Sequence, residues 1–286
     1  MSTRPSLAIY LFGAPRIEVN GRSVHLSTRK ATALLAYLAV SDTWSSRDTL
    51  IGLLWAELPQ QRAKAALRSA LSVARQALDG CWLQTENDQI RLEPGYTCDV
   101  QQFRQSLKTN PDQAVTLYQG EFMAGFYLRQ QASDSFDDWK RRQDEDLRHE
   151  LDMTLAQLAA AYAQRGEWET AVAHTRRRLQ LDPLHEPAHQ QLIELYLAAN
   201  QPAAALRHYE KLSELLDAEL GVTPAPEIER LLQRLPAPGT AAAPPRTNLP
   251  THDAHTPFIG RAAELAHIEQ QLQDAGCRLL TITGAG

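Results

Sequence analysis

Cysteine is scarce: the chain has only Cys81, Cys98 and Cys277, far apart, with no CxxC and no histidine cluster beside them. That spacing speaks against a disulfide framework or a zinc site, and for the reduced thiols of a cytoplasmic protein. Long apolar runs are missing too. The longest lies around residues 34–40, whereas a membrane-crossing helix needs about 20 apolar residues. The apolar stretch at residues 7–12, behind Arg4, is too short for a secretory signal, and no small-x-small cleavage site follows it. Catalytic groupings are also lacking. There is no Ser-His-Asp arrangement and no paired-carboxylate site, and the nine histidines show no ligand spacing. The net charge of −5 excludes a chain that is basic throughout.

What is present fits an ordinary folded protein. Apolar residues make up 43% and charged residues 22% of 286 positions, enough for two domains and part of a third. The charge is unevenly spread: residues 1–78 carry 10 Lys and Arg against 4 Asp and Glu, and residues 101–235 carry 15 against 21. A basic end on an acidic body points to nucleic acid at that end.

The pattern of residues 1–100 predicts three strands, three helices and a hairpin. Leu7-Ala8-Ile9-Tyr10-Leu11-Phe12, Arg16-Ile17-Glu18-Val19 and Ser23-Val24-His25-Leu26 are the strands, with Asn20-Gly21 as a tight turn. Ser27 or Thr28 caps a helix with Ala31, Leu34, Leu35 and Leu38 on one face. Ser45 caps the second helix, with Asp48 in its first turn, an apolar stripe of Leu50, Leu53 and Leu54, and Pro59 as its stop. The third runs over residues 61–78 and buries Leu67, Leu71, Ala74 and Leu78. Two short runs around Glu86-Asn87-Asp88-Gln89 close the segment as a hairpin. This order is that of a winged helix-turn-helix whose third helix enters the major groove of DNA.

On the third helix, Lys64, Arg68 and Arg75 share a flank, while Ser69, Ser72 and Gln76 project opposite the apolar side. Cations on one flank can neutralise phosphates, and short hydroxyls let the backbone approach base edges. Most charge stripes are simply solvated faces, but the winged order and the basic block favour DNA here. In the hairpin, Glu86 and Asp88 would repel phosphate and only Arg91 would help.

Residues 101–235 read as helical. A spacing of 34 relates Leu158 to Leu192, Tyr162 to Tyr196 and Ala171 to Ala205, with Gly166 and Asn200 at matching turns. This is the tetratricopeptide periodicity. Two repeats rarely stand alone, so residues 114–118 and 135–165 are the candidates to complete the stack. Aromatic residues such as Trp139 and Tyr196 read as core, and the aspartates between Asp134 and Asp146 as a solvated face. Residues 236–257, rich in Pro and Ala, read as a linker. Residues 258–286 end in a strand running into Gly284-Ala285-Gly286, which reads as the truncated start of a P-loop NTPase domain. Gly284 and Gly286 are its incomplete nucleotide site, without the lysine that follows in a full loop. Neither a metal nor a bound cofactor is expected, and ATP belongs to a longer parent protein.

The residues Leu11-Phe12-Gly13, Val19-Asn20-Gly21, Leu53-Leu54-Trp55 and Pro94-Gly95-Tyr96, with Asp99-Val100, resemble the OmpR-type winged helix of Streptomyces antibiotic regulatory proteins. Tyr118-Gln119-Gly120-Glu121-Phe122, Asp182-Pro183-Leu184-His185-Glu186 and the segment from Leu216 to Pro224 resemble the bacterial transcriptional activator domain that follows in that family. The last 29 residues resemble the entry to the STAND-type ATPase module of longer members. The resemblance implies a fold of an α+β winged helix-turn-helix followed by an all-α tetratricopeptide-like array. It also implies a cytoplasmic, non-enzymatic activator that binds direct repeats in double-stranded promoter DNA, engages RNA polymerase holoenzyme, self-associates on DNA and avoids membranes. The implied contacts are Arg62, Lys64, Arg68 and Arg75 to phosphate, Ser69 and Ser72 near base edges, and Arg91 from the wing. One departure stands out: members carry Ser-Arg mid-helix where this chain has Ser72-Val73, so base readout does not transfer directly. Two other classes of function remain open, a protein-interaction scaffold built on the helical array and the output end of a nucleotide-driven switch.

Overall fold

The computed structural model describes residues 6–128 and 134–232. The linker at 236–257, the segment 258–286 with Gly284 and Gly286, Cys277 and Arg4 lie outside the described residues.

Strand β1 (Leu7–Tyr10) buries Leu7 and Ile9 and pairs antiparallel with β2 (Arg16–Val19). Asn20 and Gly21 then turn the chain with φ of 52° and 72° into β3 (Arg22–Ser23). Both turn residues are left-handed, which asparagine and glycine tolerate best and which matches the twist of a hairpin. The third strand is two residues long and ends before Val24, shorter than the 23–26 run suggests. The Thr28 hydroxyl caps α1 (Arg29–Ser41) by accepting from the Ala31 N–H, and Leu34, Leu35 and Leu38 face the core.

The second helix begins one residue later than its sequence suggests. Ser45 is buried in β4 (Ser45–Ser46), paired with Ile90, so Ser46 accepts from the Thr49 N–H and caps α2 (Arg47–Leu54). Asp48 does sit in the first turn. Pro59 does not stop this helix, which ends at Leu54; it is the residue from which α3 (Gln60–Ala77) starts. A proline is well suited there, because its fixed φ suits entry into a helix and the missing N–H has no partner to lose.

Strands β5 (Leu83–Glu86) and β6 (Gln89–Leu92) form the wing, turning at Asn87 and Asp88 with φ of 44° and 66°. The wing is a three-stranded sheet, ordered β4-β6-β5. Next, β7 (Thr97–Cys98) returns to the first strand and pairs parallel with it, giving a second sheet ordered β3-β2-β1-β7.

Helices follow: α4 (Asp99–Thr109), α5 (Pro111–Leu117), α6 (Asp134–Gln164), α7 (Trp168–Leu181), α8 (Glu186–Ala198), α9 (Pro202–Leu220) and α10 (Pro226–Leu232). The period of 34 is visible in the hydrogen bonds. Gly166 and Asn200 are left-handed at φ 78° and 57°. The next residues, Glu167 and Gln201, donate their N–H groups to the carbonyls of Tyr162 and Tyr196 at 3.0 and 2.8 Å. Ala171 and Ala205 are wholly buried where each second helix meets its first. The stack is completed by α5 and α6, and by α4, a helix without a comparable signal in the sequence pattern.

The N-terminal sheet and the first helices of the array share one apolar core, running from Leu7 to Leu158. Phe12 packs on Phe103 and Tyr118 with ring centroids 5.4 and 4.7 Å apart, and Trp139 of α6 packs on Tyr37 of α1 at 5.2 Å. Asp99, 8% exposed, sits at the join. Its carboxylate accepts from the N–H groups of Leu11, Phe12 and Val100 at 2.8–2.9 Å. Burial raises the pKa of this group, and the N–H donors oppose the rise. Asp144 is not a purely solvated residue either, since it accepts from the Phe122 N–H at 2.8 Å. Cys98 is buried beside this join, and burial pushes its thiol up to about 12. No described helix is long and apolar enough to cross a membrane.

Candidate nucleic-acid interface

Helix α3 buries Ala63, Leu67, Ala70, Leu71 and Ala74 against the rest of the winged helix. Its exposed side carries Arg62, Lys64, Arg68, Ser69, Ser72 and Arg75, all solvent-exposed. The helix has four cations and no carboxylate. Among the described residues, neither Arg62 nor Lys64 nor Arg68 forms an ion pair, so their charge is available to an outside anion. At about 3.6 residues per turn, Lys64, Arg68 and Arg75 line one edge of the exposed face and Arg62 lies on the other. The Arg62 position therefore separates from the trio with which the sequence groups it.

The structure divides the remaining candidates. Lys64 and Arg68 line a cavity of about 330 Å³ with Arg47, Ile51 and the wing residue Asp88. Ser69 faces the opposite side, toward Thr28 and Lys30 at the start of α1. Ser72 points outward between them. Val73, where the family's arginine would be, is half-buried and packs on the core. A side chain leaving the backbone there starts from the flank of the helix, away from the centre of its exposed face.

The wing is tied down by side chains. Arg75 donates to the Thr85 hydroxyl at 2.7 Å, fixing the end of α3 to β5. Arg91 donates to the Gln84 side-chain oxygen at 2.7 Å, and its guanidinium lies 4.5 Å from the Trp44 ring centroid. A cation stacked in this way keeps its charge while losing side-chain freedom. The acidic turn is partly compensated as well. Arg47 Nε lies 3.0 Å from Asp88 Oδ1, and the Arg47 N–H donates to the Asp88 carbonyl. Sequence reasoning missed Arg47 and Trp44. Arg47 directly follows a helix cap, a place where a cation meets phosphate, but nothing local pairs it with a residue 41 positions on. Lys30 is less available: it bonds Glu57 at 2.9 Å and sits over Trp55. No group of three or more His, Cys, Asp or Glu among the described residues is placed to hold a metal.

Residues 99–235 match the family model of the bacterial transcriptional activator domain, and the match opens at Asp99, where α4 begins. EmbR of Mycobacterium tuberculosis, a transcriptional regulatory protein, is 27% identical over 240 residues, covering 79% of this chain and 62% of its own. The regulatory protein AfsR of Streptomyces coelicolor is 26% identical over 251 residues, 80% of this chain and 24% of its own. These matches agree with the resemblance of the sequence motifs to the Streptomyces antibiotic regulatory proteins. Another similar protein, the transcriptional regulatory protein MoaR1 of M. tuberculosis, is 23% identical over 256 residues, 82% of this chain and 80% of its own. The solved structure of M. tuberculosis EmbR in complex with a low-affinity phosphopeptide shares the fold, with a TM-score of 0.60 at 24% identity over 80% of this chain and 65% of that one. The chain thus spans 62% of the length of the EmbR relatives it matches.

Proposed function

We propose that this chain is the DNA-binding and activating part of a transcription regulator, gripping duplex DNA with α3 in the major groove. The carrying observation is the exposed face of α3, with four cations and no carboxylate on a helix packed against α1 and α2. Lys64 and Arg68 would meet one strand's phosphates beside the wing, Arg62 would meet the other edge, and Ser69 and Ser72 would lie near base edges. Arg91, held by Trp44, would support the wing. The family's name and its regulatory relatives support promoter DNA as the target, with direct repeats and RNA polymerase holoenzyme as the finer reading. On this reading the chain is cytoplasmic, needs no cofactor and catalyses nothing.

The acidic wing turn and Val73, which would favour a scaffold without DNA binding, have local counterparts in the fold. The Asp88 charge is met by Arg47, and Val73 packs inward. The test is the salt dependence of binding to duplex DNA. Each phosphate contact contributes about 0.9 to the log–log slope, so Lys64→Ala with Arg68→Ala should lower it by about 1.8. An unchanged slope would remove α3 from the DNA backbone and overturn the proposal.

A further inference from the structure

The helical array carries more acid than base, with 21 Asp and Glu against 15 Lys and Arg in residues 101–235. Its other cations are mostly answered: Arg104 by Glu150, Arg178 by Asp152, Arg165 by Glu167, and Arg177 by the Tyr118 carbonyl. A groove of about 530 Å³ between α7 and α9, floored by α8, is different. Arg176 on one wall faces Arg207 and Lys211 on the other, and no carboxylate lines it. All three cations are exposed, and among the described residues none of them forms an ion pair. Arg207 and Lys211 are one helical turn apart, a like-charge spacing that disfavours the helix and that a bound anion relieves.

The floor supplies a second kind of contact. Leu179 of α7 and Ala204 of α9 give the base of the walls a partly exposed apolar surface above the buried Leu192 of α8, and the Tyr196 hydroxyl accepts from Arg176 at 2.8 Å, holding that guanidinium at the rim. His208 completes the wall as a neutral ring, because burial pushes its pKa down to about 4. The size falls within the range of grooves that take a few side chains.

We propose that this groove binds an acidic segment of a partner protein, seating an apolar side chain on Leu179 and Ala204 and carboxylates against Arg176, Arg207 and Lys211. A peptide fits better than a DNA backbone. Duplex DNA needs cations along an open ridge, whereas these line the walls of a depression with an apolar floor in an otherwise acidic array. The inference does not rest on the reading of α3, which lies on a different element.

The probe is a fluorescent peptide of glutamates flanking a central leucine, titrated with the full chain and followed by anisotropy. The expected result is binding at least about tenfold tighter than for a twin with glutamine in place of glutamate. Raising salt should weaken it, and Arg207→Glu with Lys211→Glu should lower affinity at least about tenfold while duplex DNA binding persists. Arg207→Gln with Lys211→Gln, both at exposed positions, gives the same readout if charge reversal disturbs folding. Equal binding of the glutamine twin would overturn the proposal, as would indifference to both double variants. Displacement of the peptide by an unlabelled duplex that the variants also fail to bind would make the groove a DNA-backbone site and overturn it too.

Discussion

Replacing Asp99 by alanine tests whether the winged helix and the array form one cooperative structure. The carboxylate is the acceptor for the Leu11 and Phe12 N–H groups, which are buried and close the N-terminal sheet against α4. Alanine leaves both donors without a partner, and an orphaned buried N–H costs about 1–3 kcal/mol. Two of them give about 4 kcal/mol, leaving aside the Val100 N–H at the start of α4. For a unit of this size, about 2–4 °C per kcal/mol predicts a melting point lower by about 8–16 °C. Asparagine keeps one oxygen but turns an NH2 toward an N–H, so about half of that loss is expected. Far-UV circular dichroism reports the helices, and tryptophan fluorescence reports Trp55, Trp82 and Trp139, all packed on the shared core. Both signals should move together, because the core is continuous from Leu7 to Leu158. A shift of under about 2 °C would show that the carboxylate is not the principal partner of these donors. A separate early melt seen by only one signal would refute a single cooperative unit.

Two further predictions concern the array. His189 Nε2 lies 2.8 Å from the Pro183 carbonyl, which fixes a proton there, and Nδ1 lies 2.9 Å from His208 Nε2, so both rings fit as neutral. Burial lowers both pKa values, His208 to about 4. The folded state therefore binds fewer protons than the unfolded chain below the usual 6.5. The pair's stabilisation is complete above that pH and is lost as pH falls toward about 4, by about 2 kcal/mol after allowance for partial exposure. A His208→Asn variant should show a shallower loss of melting temperature over that window; a parallel curve would refute the linkage. Gly166, at φ 78° with open space where a Cβ would go, should cost about 1 kcal/mol when changed to alanine, from backbone strain alone. Gly166→Asn should retain most of that stability, as Asn200 does at the matching turn, and equal melting of Gly166→Ala and the parent chain would contradict the left-handed turn.

Much of this protein was legible in its sequence because the relevant physics is local. Asn20-Gly21 turns a hairpin because both residues tolerate a positive φ, and Thr28 caps a helix because its hydroxyl reaches an N–H three residues on. The stripe of Leu67, Leu71 and Ala74 placed α3 and exposed its cations, and the period of 34 placed Gly166 and Asn200 at equivalent turns. Those signals sufficed for the winged helix, the helical array and the resemblance to transcriptional regulators. Tertiary structure decided what joins residues far apart. The parallel return of β7 to β1, Asp99 under Leu11 and Phe12, and the Tyr37–Trp139 contact span roughly 90 to 100 positions and leave no periodic trace. Pairing of Ser45 with Ile90 moved a helix cap by one residue, Trp44 engaged Arg91, and Arg47 met Asp88. The groove of Arg176, Arg207 and Lys211 exists only because the stacking of α7, α8 and α9 brings one cation opposite two others. Capping, turning and amphipathic burial depend on neighbours within a few residues, while pairing of strands and of buried charges depends on which distant surfaces the packed core brings together.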